Sequence, residues 1–269
     1  MKTIFIKSLC LILLAMAGMT ASAQTFEVDG INYRVLSQAE GTVEVARGEY
    51  SGDVIIPPSV AYDGKDYAVT AIGDVAFVEC RNLTSVSMPS VETIGYNAFH
   101  GCMNLTNASM PSVIKVDDMA FDNCQSLLSV DLPAATMIGD GAFSFCRVLS
   151  SIDMPLVKTI GNNAFLFCSS VASVSMPSVR TIGDGAFLGC FDLTTLEMPA
   201  SVTTVGNSAF AHCPSLRAIY CHWEAPLQCE AGFDKKVLRR ATLHIPSGTK
   251  EAYDKAEPWR SFRNIEEMQ

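Results

Sequence analysis

Ten cysteines and four histidines carry most of the reactive chemistry of this 269-residue chain. Seven of the cysteines, Cys80, Cys102, Cys124, Cys146, Cys168, Cys190 and Cys213, recur at one constant interval that lengthens by a single position only at the last step. Such a ladder invites a metal or disulfide reading. Equivalent stacked positions point the same way, however, whereas a disulfide needs two Cβ atoms directed at each other. Each ladder thiol therefore reads as a small buried hydrophobe. Cys221 and Cys229 lie off the ladder and are candidates for one bridge in an oxidising compartment. His212, Cys213, Cys221, His222 and Cys229 cluster in sequence, but none of the compact zinc spacings occurs among them, so no metal site is expected.

Catalysis finds little support. His100, His212, His222 and His244 show no recurrent partnership with a serine or carboxylate. There is no glycine-rich phosphate loop after a strand and no nucleophile elbow. Acidic residues are plentiful, yet nothing in their spacing brings two together in a cleft. The expectation is a protein that is not an enzyme and uses no cofactor.

The elements that position these residues come from the same period. Phe77, Phe99, Phe121, Phe143, Phe165, Phe187 and Phe210 recur in step with the cysteines, and the clearest copy runs from Thr70 to Val91. A period in the twenties marks a leucine-rich-type solenoid. Within a copy, Leu83-x-x-Val86-x-Met88 reads as a short strand, ended by Pro89, which has no N–H for a ladder. Val91-x-x-Ile94 reads as a second extended piece. Gly95 is expected to supply a positive φ, a conformation that Asp117 tolerates in the next copy. Ala98-Phe99-x-x-Cys102 reads as one helical turn with Phe99 and Cys102 inward. The fold expected is a β-rich, right-handed superhelix with a parallel sheet, built from seven 22-residue repeats and capped at both ends.

The flanks differ in character. Lys2, Lys7, the apolar run Leu9 to Met16 and Ala21-Ser22-Ala23 have the layout of a secretory signal peptide over 1–23. Its apolar core is shorter than the roughly 20 residues of a spanning helix. Residues 24–68 carry strand signals, including a hairpin around Asp29-Gly30, and read as an N-terminal β cap. The repeats occupy 69–220. Residues 221–269, with Trp223, Phe233, Trp259 and Phe262, read as a C-terminal cap with a strand near Thr242 to Ile245. Removing 1–23 leaves 17 basic and 28 acidic residues, a net charge of −11. That excess of acid argues against nucleic acid and anionic membrane as partners.

The repeat Ile-Gly-x-x-Ala-Phe-x-x-Cys-x-x-Leu-x-x-Val-x-Met-Pro resembles the BspA-like subclass of leucine-rich repeats. The ending Leu243-His-Ile-Pro-Ser-Gly-Thr-Lys-Glu-Ala-Tyr253 with Trp259-Arg-Ser-Phe262-Arg-Asn-Ile265 is similar to the cap of bacterial members. The resemblance implies a secreted or surface protein of a host-associated anaerobic bacterium. It also implies adhesion to host matrix proteins such as fibronectin and fibrinogen, coaggregation or host recognition.

A binding surface follows from the positions the repeat leaves free. In Leu-x-x-Val-x-Met the third and fifth residues point out of the sheet. They are Ser85 and Ser87, Asn107 and Ser109, Ser129 and Asp131, Ser151 and Asp153, Ser173 and Ser175, Thr195 and Glu197, then Ala218 and Tyr220. A solvated face needs no more than small polar residues. As a binding platform, its acidic centre at Asp131, Asp153 and Glu197 favours a basic protein segment over a sulfated glycan. The expectation is an exported binding module, secreted, at the cell surface or in the periplasm, with a host matrix or cell-surface protein as partner and a glycan as second choice. The alternative is a periplasmic scaffold for an envelope complex.

Overall fold

The computed structural model describes residues 24–269. The expected signal peptide, 1–23, lies outside the described residues. The chain forms a parallel-sheet β-solenoid. One wall is a continuous ladder through Thr42–Val45, Lys65–Ile72, Thr93–Ile94, Lys115–Val116, Met137–Ile138, Thr159–Ile160, Thr181–Ile182 and Thr204–Val205. The second wall begins with Gly52–Ile55, Leu83–Ser87 and Asn107–Ser109. It continues through Ser129–Asp131, Ser151–Asp153 and Ser173–Ser175, and then Thr195–Met198, Ala218–Cys221, Thr242–Ile245 and Asn264–Glu267. Register steps by one repeat, so Ser129 faces Ser151 and Ser151 faces Ser173.

The two-residue strands are short because each coil turns a corner after them, yet each bonds the strand on either side, except Thr204–Val205, which ends the ladder. Their inward residues, Ile94, Val116, Ile138, Ile160 and Ile182, are buried, as are Leu83, Val86 and Met88 from the other wall. Between the walls the phenylalanines stack along the axis. Ring centroids lie 4.7 Å apart at Phe77–Phe99 and 5.3 Å apart at Phe143–Phe165. Tyr50 extends this spine at one end and Phe233 at the other. No single coil can bury such a face alone; stacking supplies the cover.

The third side departs from expectation. In place of a helical turn, each coil makes a run of tight turns with two positive-φ residues four apart, such as Asn97 and Gly101, or Gly141 and Phe145. The Phe99 N–H then donates to Ala120 of the next coil at 2.7 Å, and Gly101 to Asp122 at 2.9 Å. A helix would direct these donors along its own axis. The flipped residues release them to join neighbouring coils, so buried backbone groups on this side are satisfied as well.

Gly95 and its equivalents are also corrected. The positive φ lies elsewhere, and glycine is required here by close approach. A Cβ on Gly95 would stand 2.6 Å from Asp74 Oδ1 and 2.8 Å from Asp74 N of the previous coil. On Gly139 it would meet Asp118 Oδ1 at 2.5 Å. These acids hold the contact by accepting the next coil's N–H, from Tyr96 to Asp74 at 2.9 Å and from Asp140 to Asp118 at 2.8 Å.

Both flanks join the ladders. The hairpin Thr25–Val28 and Ile31–Ser37, turned at Asp29 and Gly30 with positive φ, pairs antiparallel onto Thr42–Val45. A second hairpin, Ser59–Tyr62 with Lys65–Ile72, turns at Asp63-Gly64. At the other end Thr242–Ile245 and Asn264–Glu267 add two parallel strands, with helix Lys235–Arg240 before them and Lys250–Tyr253 between them. Trp259 is fully buried there, packed on Phe233.

Candidate protein-binding face

Strand alternation places the expected residues in two outward columns on the second wall. Ser85, Asn107, Ser129, Ser151, Ser173 and Thr195 form one column; Ser87, Ser109, Asp131, Asp153, Ser175, Glu197 and Tyr220 form the other. Ser85, Ser87 and Tyr220 are half-buried and the rest exposed. Asp131 and Asp153 are register partners, which sets two carboxylates side by side at strand spacing, about 4.8 Å. Two shallow clefts open on this face. One, about 510 Å³, lies among Ser175, Pro177, Glu197, Pro199 and His222; the other, about 310 Å³, among Asn107, Ser109, Ser129 and Asp131.

The face also holds residues that the repeat pattern did not offer. Because Thr242–Ile245 and Asn264–Glu267 continue the ladder, His244 and Glu266 fall in line after Glu197 and Tyr220. Tyr220 and His244 stack with centroids 4.4 Å apart and planes 11° from parallel. His222 Nε2 lies 2.9 Å from Glu197 Oε1. A signal was present: His244 and Glu266 are one repeat length apart, each flanked by an inward aliphatic.

All four histidines gain carboxylate neighbours that their spacing in the chain did not show. His212 lies 3.8 Å from Asp234, and His244 lies 3.9 Å from Glu266. His100 sits in a row with Glu79, Asp122 and Ser144, contributed by successive coils on the turn side. Its Nδ1 is 2.9 Å from Asp122 Oδ2 but off the line of a ring N–H, and its Nε2 is 3.9 Å from Glu79. The buried Ser144 hydroxyl donates to Asp122. Aspartate thus stands between histidine and serine. Activation of a nucleophile needs the base on the hydroxyl itself, with the acid behind it. The row binds coils together.

The cysteine ladder faces inward as a set of free thiols. Each has a polar role beyond filling space. Cys102 Sγ donates to Phe77 O at 3.0 Å, and Cys124, Cys146 and Cys168 repeat the contact to Phe99, Phe121 and Phe143 at 3.1, 3.3 and 3.1 Å. Burial pushes their ionisation up, to about 12 for Cys102 and Cys213. Cys221 and Cys229 are free thiols as well. His212 is exposed while Cys213 points inward, and among the described residues no group of three or more His, Cys, Asp or Glu side chains is placed to hold a metal ion.

Two parallel walls joined by an inward phenylalanine–cysteine side define the class: a leucine-rich-repeat solenoid. A BspA type leucine rich repeat region matches in six copies over residues 66–156 and 92–217, more than half of the chain. The chain belongs to the BspA-type leucine-rich repeat family. A leucine-rich repeat protein of T. pallidum is 31% identical, with a TM-score of 0.64, over 72% of this chain and 91% of that one. A leucine rich cell surface protein of Faecalibacterium prausnitzii is 24% identical with a TM-score of 0.68, over 91% and 73%. A leucine-rich repeat protein of Bacteroides ovatus is 24% identical with a TM-score of 0.61, over 90% and 76%. No curated protein sequence matches. Repeat proteins of this type are generally binding or scaffold modules that use an extended surface for protein partners. Among the described residues no helix is long and apolar enough to cross a membrane.

Proposed function

We propose that this protein is an exported, non-enzymatic adhesive module that holds a host matrix protein, or a protein on a neighbouring cell, against its serine- and acid-lined face. Residues 69–220 supply most of that face, and 24–68 and 221–269 close the ends of the core. Support for export comes from the layout of 1–23 and from the cell-surface description of the F. prausnitzii protein. The observation that carries the reading is the register of Asp131 with Asp153 on an exposed sheet whose other side is buried. Paired strands fix the backbone beneath these carboxylates, which lowers the ordering cost of binding. Their sign selects a basic segment.

The test is binding of purified residues 24–269 to a panel of matrix proteins and glycans, beside the variant Asp131→Lys, Asp153→Lys, Glu197→Lys. Saturable binding to a matrix protein, lost in the variant and weakened by salt, is the expected result. Binding retained by the variant moves the site off this face. No binding to any member, together with protection from protease on intact cells, replaces adhesion by a periplasmic scaffold.

A further inference from the structure

The turn side of the solenoid changes character along its length. At the second positive-φ position the coils carry Glu79, Gly101, Asn123, Phe145, Phe167, Gly189 and His212 in order. Glycine and asparagine suit that conformation; a bulky ring is strained in it. Yet Phe145 and Phe167 sit there at φ 58° and 54°, half-exposed, with ring centroids 5.6 Å apart. Phe167 lies over Gly189, where a Cβ would come within 2.4 Å of its ring, and its centroid is 6.3 Å from that of Phe191. Phe191 and Val148 are each 42% exposed, and Leu166 and Leu188, one residue before Phe167 and Gly189, are half-buried. Three successive coils therefore present an apolar strip outside the core. Contiguous apolar surface of this kind marks an interaction site.

We propose that this strip docks an amphipathic helix of a partner protein, with Lys or Arg along the border of its apolar stripe that faces the acidic corner. Two observations select that occupant. Successive coils rise by about 4.8 Å, near the helical pitch of about 5.4 Å, so over three coils a helix lying along the solenoid axis sets one apolar side chain per turn against Phe145, Phe167 and Phe191. The corner that precedes the strip in each coil is acidic, with Asp118, Asp140 and Asp184 exposed, while Arg147 is exposed on the opposite flank beside Val148. The three carboxylates accept the N–H of Asp140, Asn162 and Asn207, each in the next coil. The rings themselves favour cations over their faces. This site is separate from the sheet face carrying Asp131, Asp153 and Glu197, and it stands or falls independently of that reading.

The probe is a synthetic amphipathic helix of leucine and lysine about five turns long, with a scrambled peptide and a leucine–glutamate version as controls, titrated against residues 24–269. Phe145→Gly with Phe167→Gly puts into these coils the glycine found at 101 and 189, so the backbone is relieved while the strip is removed. Phe191→Ser copies Ser169 of the preceding coil. Asp140→Asn with Asp184→Asn copies Asn162 and Asn207 and preserves the backbone hydrogen bonds while removing charge. The expected result is binding by the leucine–lysine helix alone. The glycine pair and Phe191→Ser should each weaken it at least about tenfold. The asparagine pair should reduce its salt dependence. Equal binding by the scrambled peptide, or undiminished binding by the glycine pair with its thermal unfolding intact, overturns the proposal. So does self-association of the chain that disappears with the glycine pair, which assigns the strip to a second copy.

Discussion

Six ladder thiols, Cys102, Cys124, Cys146, Cys168, Cys190 and Cys213, are held protonated by burial well above the ordinary thiol range. An unfolded chain releases the same protons near pH 8.5. The folded state therefore binds more protons than the unfolded state above that point, and stability must fall as pH rises. The contribution is complete below about pH 8.5 and is lost progressively toward about pH 12, where Cys102 and Cys213 ionise in the fold. Between about pH 8 and pH 10, one such thiol costs about 2 kcal/mol. Six together cost roughly 11 kcal/mol, against a typical total of about 5–15 kcal/mol. Urea titrations followed by circular dichroism under a reducing agent should show the midpoint collapsing across this range. Replacing Cys124, Cys146 and Cys168 by alanine should lower stability at pH 8 but cut the further loss to pH 10 by about a third, since burial also raises the ionisation of Cys80, Cys221 and Cys229. A midpoint that stays constant from pH 8 to 10 in the native protein, or an equal slope in the triple variant, would refute the inward thiol ladder.

Phe143→Ala removes a fully buried ring stacked 5.1 Å from Phe121 and 5.3 Å from Phe165. It should cost about 3–5 kcal/mol in urea unfolding, and an unchanged midpoint would contradict the spine. Gly139→Ala should cost about 3 kcal/mol because its Cβ enters the space of Asp118 Oδ1 and the backbone at Asp117. Gly141→Ala, whose nearest neighbour would be 3.4 Å away, carries only the positive-φ penalty of about 1 kcal/mol. Equal losses at the two sites would argue against close approach as the reason for the first glycine.

The repeat period, the identity of the inward residues and the outward pair on each strand were legible in the chain, because side-chain direction alternates locally along a strand. The expected hairpin at Asp29-Gly30 rests on equally local turn chemistry. What lies between coils was not legible. Ala98-Phe99-x-x-Cys102 has helical spacing, and only the demand of Ala120 and Asp122 in the next coil for donors converts it to flipped turns. Gly95 looks like a turn residue until Asp74 is placed on top of it. The thiol of Cys102 gains its acceptor, Phe77 O, from 25 residues away. His244 and Glu266 join the acidic face only because the last two strands pair in parallel. By itself the sequence determined the strands of each coil and which side chains they turn inward, since those follow from neighbours along the chain. The tertiary structure decided how one coil meets the next, because backbone hydrogen bonds and steric contacts between successive repeats depend on stacking distance, which no local pattern encodes.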